Sequence, residues 1–330
     1  MEMLGGTGMK ITKVGLGGWA FGGEGWVARD DKAAMETIDA ALGAGVNWID
    51  TAPEYGLGHS ESTIGKAIAK IGGADRPLIF TKCGVVRDSG MAGASPVRSM
   101  EPSSVRRELE GSLRRLRLDQ IDLYQVHCPP SDESIEEYWQ LMADLKKEGK
   151  VRAIGLANHG VEHLRHAQGV ANIDCLQSPF SLIRRWAGRE IAWCSRNGTG
   201  VIAFSPIQTG LLSGYFSRER FSSMLDSDWR RKDPEFTTNL DQNLALVELL
   251  RPIAERHSID VAALAVAWVL AWPGVTGAIV GAHSARHVSG WAPAARLRLT
   301  PEDMNEVARA LSLTNAGRGP KHPESVEPIA

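Results

Sequence analysis

Cysteine is sparse in this 330-residue chain, and its four residues, Cys83, Cys128, Cys175 and Cys194, form no C-x-x-C pair. That argues against the disulfide framework of a small secreted domain and against a structural zinc site, and fits reduced thiols in a cytosol. Neither sign of charge is in excess: 37 basic against 39 acidic side chains leave a net charge of −2. A basic footprint for nucleic acid and a polybasic membrane surface are therefore both missing. Long apolar runs are missing too. The longest, residues 261–272, stops at Pro273, short of the roughly 20 residues a membrane helix needs. The opening MEMLGGTGMK lacks the apolar core of a signal peptide. The expectation is a soluble cytoplasmic protein whose partner is a small molecule, with no nucleic acid and no membrane involved and no metal site.

What the chain does have is alternation. Eight short aliphatic runs recur with helical patterns between them: ITKVGLG from Ile11, VNWID from Val46, PLIFTK from Pro77, QIDLYQVH from Gln120, VRAIGLAN from Val151, IDCLQS from Ile173, GVIAFSP from Gly200 and TGAIVGA from Thr276. Runs that are apolar throughout suit parallel strands buried on both faces. Helix punctuation falls between them, with Ser103 or Ser104 as an N-cap after Pro102, and Ser134 opening a helix that Gly149 ends. Eight β-α units in succession predict an α/β fold, a closed (β/α)8 TIM barrel, as one domain over residues 1–314. The wide gap after the seventh run holds a polar, aromatic stretch, 215–243, and two helical patterns, 244–257 and 261–272. It reads as an inserted loop on the C-terminal rim, where barrels build their active sites. Residues 315–330 form a tail, mobile or draped over that rim.

The ends of the runs carry the chemistry. The second ends at Asp50, followed by TAPEYG with Tyr55; the third ends at Lys82 and the fourth at His127. Reducing a carbonyl requires a proton donor beside the hydride donor. Tyr55 suits that role if Lys82 lies near it, since a unit charge about 4 Å away contributes on the order of 4 kcal/mol at an effective dielectric of about 20, against an opposing cost of burial. Asp50 would fix Lys82, and His127 would bind and orient the carbonyl oxygen. Singly, each has an ordinary structural reading: a loop cap, rim packing, an ion pair, a satisfied buried imidazole.

The stretches VNWIDTAPEYGLGHSE, FTKCG, DLYQVH, KVRAIGLAN, LQSPFSL, FSPIQTGLLSG and GAIVGAHS, in this order, resemble the aldo-keto reductases over nearly the whole chain. The resemblance implies a catalytic tetrad of Asp50, Tyr55, Lys82 and His127 and an NADPH bound extended across the barrel mouth, without a Rossmann domain. It further implies that Asn158 and Gln177 hold the nicotinamide carboxamide, with the ring stacked on Tyr215 or Phe204. The backbone of Ser205, Ile207, Gly210 and Leu211 would line the pyrophosphate path, and Gly281, Ala282, Ser284 and His287 the adenosine end. Three departures stand out. Ala157 replaces the family's usual Ser; Phe180 replaces a Tyr expected after the Gln motif; and His283 stands where many relatives have an Arg that contacts the 2′-phosphate. Arg286, or Arg230 and Arg231 of the inserted loop, would take over that contact, and NADH is the alternative cofactor.

Trp19, Trp26, Phe180 and Trp229, with Tyr55, are the substrate-pocket candidates, and their bulk points to a ring-bearing ketone or aldehyde. Two rival functions remain at this level: a cofactor-binding redox sensor on the same fold, and a lyase forming a Schiff base at Lys82, which the neighbouring Asp50 opposes by favouring the charged amine. Gly15, Gly17 and Ala20 fit G-x-G-x-x-A, but FGGEGW follows where a dinucleotide-binding fingerprint requires a helix. His159 and His163 stand four apart without an H-E-x-x-H signature.

Overall fold

The computed structural model describes residues 1–23, 29–71, 73–87, 96–131 and 133–326; Trp26 lies outside them. Eight parallel strands close into a barrel: β1 (Val14–Gly17), β2 (Trp48–Asp50), β3 (Leu78–Cys83), β4 (Ile121–Val126), β5 (Val151–Ala157), β6 (Cys175–Pro179), β7 (Gly200–Phe204) and β8 (Gly277–Gly281). Each strand pairs with its sequence neighbours, and β8 closes on β1 through Ala278–Val14 to Gly281–Gly17. The outer layer is α1 (Asp31–Gly43), α2 (His59–Ile68), α3 (Pro102–Leu116), α4 (Ile135–Lys147), α5 (Val161–Val170), α6 (Gly188–Arg196), the short α7 (Arg218–Ser222), α8 (Leu240–Arg256), α9 (Val261–Ala271), α10 (Ala285–Trp291) and α11 (Pro301–Thr314). All eight expected strands are present. Helix α3 begins differently from its expected cap: Glu101 is the N-cap, accepting from the Ser104 N–H, and Pro102 occupies the first turn, where a missing N–H costs nothing.

Strand parity divides the core in two. Trp48, Phe80, Leu123, Ala153, Cys175, Ile202 and Ile279 fill the barrel interior. Their neighbours Ile49, Ile79, Tyr124, Ile154, Leu176, Val201 and Val280 face the helices. A hairpin of Glu2–Met3 against Lys10–Ile11 brings Leu4, Met9 and Ile11 into the inner cluster and closes the N-terminal end, so the first expected strand is split between this hairpin and β1. Gly15 has no side chain because the Trp48 indole lies where one would go: a Cβ there would stand 2.2 Å from the ring. That accounts for one glycine of the G-x-G-x-x-A stretch as packing.

Past the seventh strand, residues 205–239 form the inserted loop. Its Trp229 packs on Trp19, in the turn after β1, at 6.1 Å between ring centroids. The C-terminal segment is fastened to the loop after β6. Arg185, 1% exposed, donates to the carbonyls of Leu182, Ala316 and Gly319, while the Arg318 N–H bonds to Ile183 O at 2.8 Å.

Candidate active site

The parity that puts Trp48, Phe80, Leu123 and Cys175 inside the barrel also puts the residues two further on inside, one layer nearer the C-terminal mouth: Asp50, Lys82, Gln125 and Gln177. A polar layer therefore rests on an apolar floor. Asp50 and Lys82 are 3% and 1% exposed, and Gln125 and Gln177 are buried with them. Lys82 Nζ donates to Asp50 Oδ1 at 2.5 Å, to the Thr51 carbonyl at 2.9 Å and to Tyr55 Oη at 3.3 Å. Three donors meet three acceptors, so the amine is held as an ammonium. Burial acts to lower its pKa, but Asp50 and Tyr55 together leave it raised.

Tyr55 arrives on the loop after β2. Gly56 and Gly58 have φ of 64° and 85°, and a Cβ on Gly56 would come within 2.3 Å of Gly22 O. Arg29 clamps the two loops, donating to Gly22 O at 3.1 Å and Gly56 O at 3.2 Å. The Tyr55 pKa is raised, because burial outweighs the opposing pull of Lys82, with Asp50 adding to the rise. The lowering expected of Lys82 is real but is not the net result. His127 follows β4, its N–H bonded to Cys83 O at 2.9 Å, and its ring meets the Tyr55 ring edge-on at 5.9 Å. Burial, then Lys82 and Arg98, lower its pKa to about 3, so the imidazole is neutral.

Around this centre lie the other groups expected to touch a cofactor. Asn158, at φ 64°, donates to the His127 carbonyl at 2.9 Å, and its own N–H bonds to Gln177 O. Phe204, at the end of β7, packs on the inner cluster, whereas Tyr215 is 62% exposed and bonds Asp260 at 3.3 Å. Of the two stacking candidates, Phe204 stands at the C-terminal end of a barrel strand. Ser205, Gln208, Thr209 and Gly210 all have positive φ. Leu211 is fully buried and Ile207 packs on the outer core, so both offer backbone alone. Gly281, His283, Ser284, Arg286 and His287 are at least partly exposed, and Ala282 is buried. The His283 and His287 rings lie 5.7 Å apart.

One assignment made from sequence needs correction. Phe180 is not a pocket residue: it is fully buried on the outer side of the barrel, stacked on Trp268 at 5.5 Å and edge-on to Trp272 at 4.9 Å. Arg230 is committed to Asp228, at 2.6 Å, and to Thr209 O. Arg231 binds the Phe221 and Met224 carbonyls and Asp226. Both are held within the inserted loop, and Arg230 also stands close enough to His283 to lower its pKa. Arg220, which sequence reading overlooked, stands near both histidines: it lowers the His287 pKa next after burial, and that of His283 after burial, His287 and Arg230. Arg286 does the same for His287. Neither Arg220 nor Arg286 has a side-chain hydrogen-bond or ion-pair partner among the described residues. Gln125 was also overlooked, although its place two residues before His127 marks it as inward-facing.

Comparison with known proteins bears on the family and the fold. The model of the aldo/keto reductase family matches residues 13–312. The aldo-keto reductase YhdN of Bacillus subtilis is 33% identical, with 98% of this chain and 96% of that protein covered. The NADH-specific methylglyoxal reductase of Escherichia coli is 31% identical, covering 93% and 98%. Among solved structures, the glycerol dehydrogenase of Gluconobacter oxydans superposes with a TM-score of 0.87 at 32% identity, covering 100% of this chain and 98% of that one.

Proposed function

The chain belongs to the aldo/keto reductase family, and on that premise we propose that it reduces an aldehyde or ketone to the alcohol, using hydride from a nicotinamide dinucleotide and a proton from Tyr55. The observation that carries this reading is the Lys82 ammonium, which spends its third N–H on Tyr55 Oη. The phenol accepts from below, so its own proton is free to point into the mouth.

The residues at the mouth fit such a cofactor. Asn158 and Gln177 present amides to a carboxamide, Phe204 offers a ring face, and the backbone of residues 205–211 and 281–284 borders the remaining length of the mouth. When bound, the reduced nicotinamide supplies the hydride. The protein's part is to hold the carbonyl oxygen between Tyr55 and a neutral His127, whose N–H donates to it. Burial keeps Tyr55 protonated until the oxygen gains negative charge. Lys82 then stabilises the tyrosinate, and Asp50 keeps Lys82 in place. A Schiff-base role at Lys82 is disfavoured, because its raised pKa leaves no neutral amine.

NADPH is the preferred cofactor in this reading, since Arg220 and Arg286, unpaired among the described residues, stand beside His287 and suit a 2′-phosphate. NADH is the second reading. It is favoured by His283, which burial keeps neutral with a pKa lowered to about 4, and by the NADH-specific relative. The test is fluorescence titration with each nucleotide, then a 340 nm assay with wild type and Tyr55→Phe. The panel spans methylglyoxal, glyceraldehyde and ring-bearing ketones, because the Trp19–Trp229 pair suits flat rings while two relatives are named for three-carbon substrates. Tyr55-dependent oxidation of the cofactor supports the reductase; tight binding without turnover on any carbonyl supports a sensor instead.

A further inference from the structure

Asp50 is held from two sides. Its Oδ1 pairs with Lys82, and its Oδ2 accepts from two buried amides, Gln177 Nε2 at 2.8 Å and Gln125 Nε2 at 3.3 Å. The amides also bond each other, Gln177 Nε2 to Gln125 Oε1 at 3.2 Å. An ionised carboxylate only accepts, so both nitrogens must turn towards Asp50, which settles the orientation of each amide. Both hydrogens of Gln177 are thereby spent inside the barrel, and its oxygen is what remains for a ligand. Gln125 is fully buried beneath the mouth, between Lys82 on β3 and Gly155 on β5 in strand register. Among the described residues its side chain hydrogen-bonds Asp50 and Gln177, and neither Tyr55 nor His127. Two residues earlier on the same face stands Leu123, a floor residue, so an amide here is a departure from the apolar interior that its hydrogen bonds compensate.

We propose that Gln125 is a positioning residue for proton transfer: it holds Asp50 in the orientation that keeps Lys82 under Tyr55. The inference rests on the reading of Tyr55 as the acid. Donors on Oδ2 draw charge away from Asp50; without one of them, more of that charge is felt at Tyr55, and the phenol becomes harder to ionise.

The experiment compares Gln125→Met, which keeps volume and loses both hydrogen bonds, with Gln125→Glu and Gln177→Met. Gln125→Met is expected to lower kcat about ten-fold with the carbonyl KM unmoved, and to move the alkaline limb of the kcat profile upward. Its nucleotide Kd, read by fluorescence, stays within about three-fold of wild type, while Gln177→Met weakens it about ten-fold through loss of the carboxamide acceptor. Gln125→Glu donates to Asp50 only while protonated, so it approaches wild-type rates on the acid side and loses them as the pH rises. Crystals of free Gln125→Met should show Asp50 rotated away from Lys82. A Gln125→Met enzyme with the wild-type kcat and alkaline limb, or with Asp50 unmoved on Lys82, overturns the proposal. If the wild type binds no nicotinamide nucleotide, the reductase reading fails on its own, and the crystal comparison still decides whether Gln125 positions Asp50.

Discussion

Lys82 Nζ lies 3.3 Å from the hydroxyl of Tyr55 and 2.5 Å from Asp50, so one buried ammonium joins the expected acid to the carboxylate that fixes it. Tyr55→Phe removes the proton donor and almost no packing. It should lower kcat by about two to four orders of magnitude and leave nucleotide affinity unchanged. Lys82→Met should do more, because it strands Asp50 in the barrel: a stability loss of about 3–5 kcal/mol together with a displaced alkaline limb. Denaturant melts and pH–rate profiles of the two variants separate these effects.

His127 is predicted to be silent in the rate profile between about pH 4 and 8, since its pKa is held near 3. An acid limb near pH 6.5 that disappears in His127→Gln would contradict its role as a neutral donor. The same burial affects stability. In the unfolded chain the imidazole takes a proton below about pH 6.5, whereas the folded protein does not until about pH 3. Stability is therefore complete above pH 6.5 and declines as the pH falls towards 3. Melts of His127→Gln should show a weaker decline over that window.

Glu108, on α3, behaves in the opposite sense. Burial raises its pKa to about 7, although the Gly84 N–H at 3.0 Å and Ser104 favour the anion. The folded protein holds this proton over a range where the unfolded chain, with an ordinary Glu pKa of about 4.3, has released it. The stabilisation is present at low pH and is lost as the pH rises through 7. Glu108→Gln keeps an acceptor for Gly84, and its gain in Tm over wild type should be larger at pH 8 than at pH 5 when measured by calorimetry.

At the adenosine end, Arg220→Ala and Arg286→Ala should each weaken NADPH about ten-fold and leave NADH unchanged, since a charge-assisted contact to phosphate contributes on the order of 1.5 kcal/mol. Arg230→Ala should instead destabilise the inserted loop by freeing the nearly buried Asp228. Equal losses for both nucleotides in the Arg220 and Arg286 variants would take these residues out of the 2′-phosphate contact.

Phe180 and Trp229 offer a direct contrast. Phe180→Ala empties a site packed by Trp268 and Trp272 and should cost about 3–5 kcal/mol without altering substrate preference. Trp229→Ala removes an indole from the mouth and should change KM across a carbonyl panel with a smaller loss of stability.

The strand ends were legible because parallel barrel strands are apolar on both faces and their ionisable terminal residues interrupt that pattern. Asp50, Lys82 and His127 stand out for that reason, and Tyr55 lies in the loop that follows Asp50. Parity held more than was taken from it. Counting outward from Gln177, Phe180 falls on the helix-facing side, and Gln125 falls on the inner face with Leu123 and His127. The positive-φ residues Gln208 and Thr209 left no such trace, since neither is a glycine.

By itself the sequence determined the architecture and the candidates for the reacting residues: eight apolar runs spaced by amphipathic segments point to a closed barrel, and its C-terminal rim collects whatever polar groups end the strands. Only the tertiary structure decided which partners those groups take. Arg220, Arg230, Arg231 and Arg286 are alike in sequence, yet Asp228 and loop carbonyls hold two of them, while Arg220 and Arg286 stand beside His287. Gln177 could face either way until Asp50 claimed its nitrogen. Burial likewise sets the balance at Tyr55 against Lys82. Hydrogen bonds and desolvation depend on distances between segments far apart in the chain, and those distances exist only once the barrel has closed.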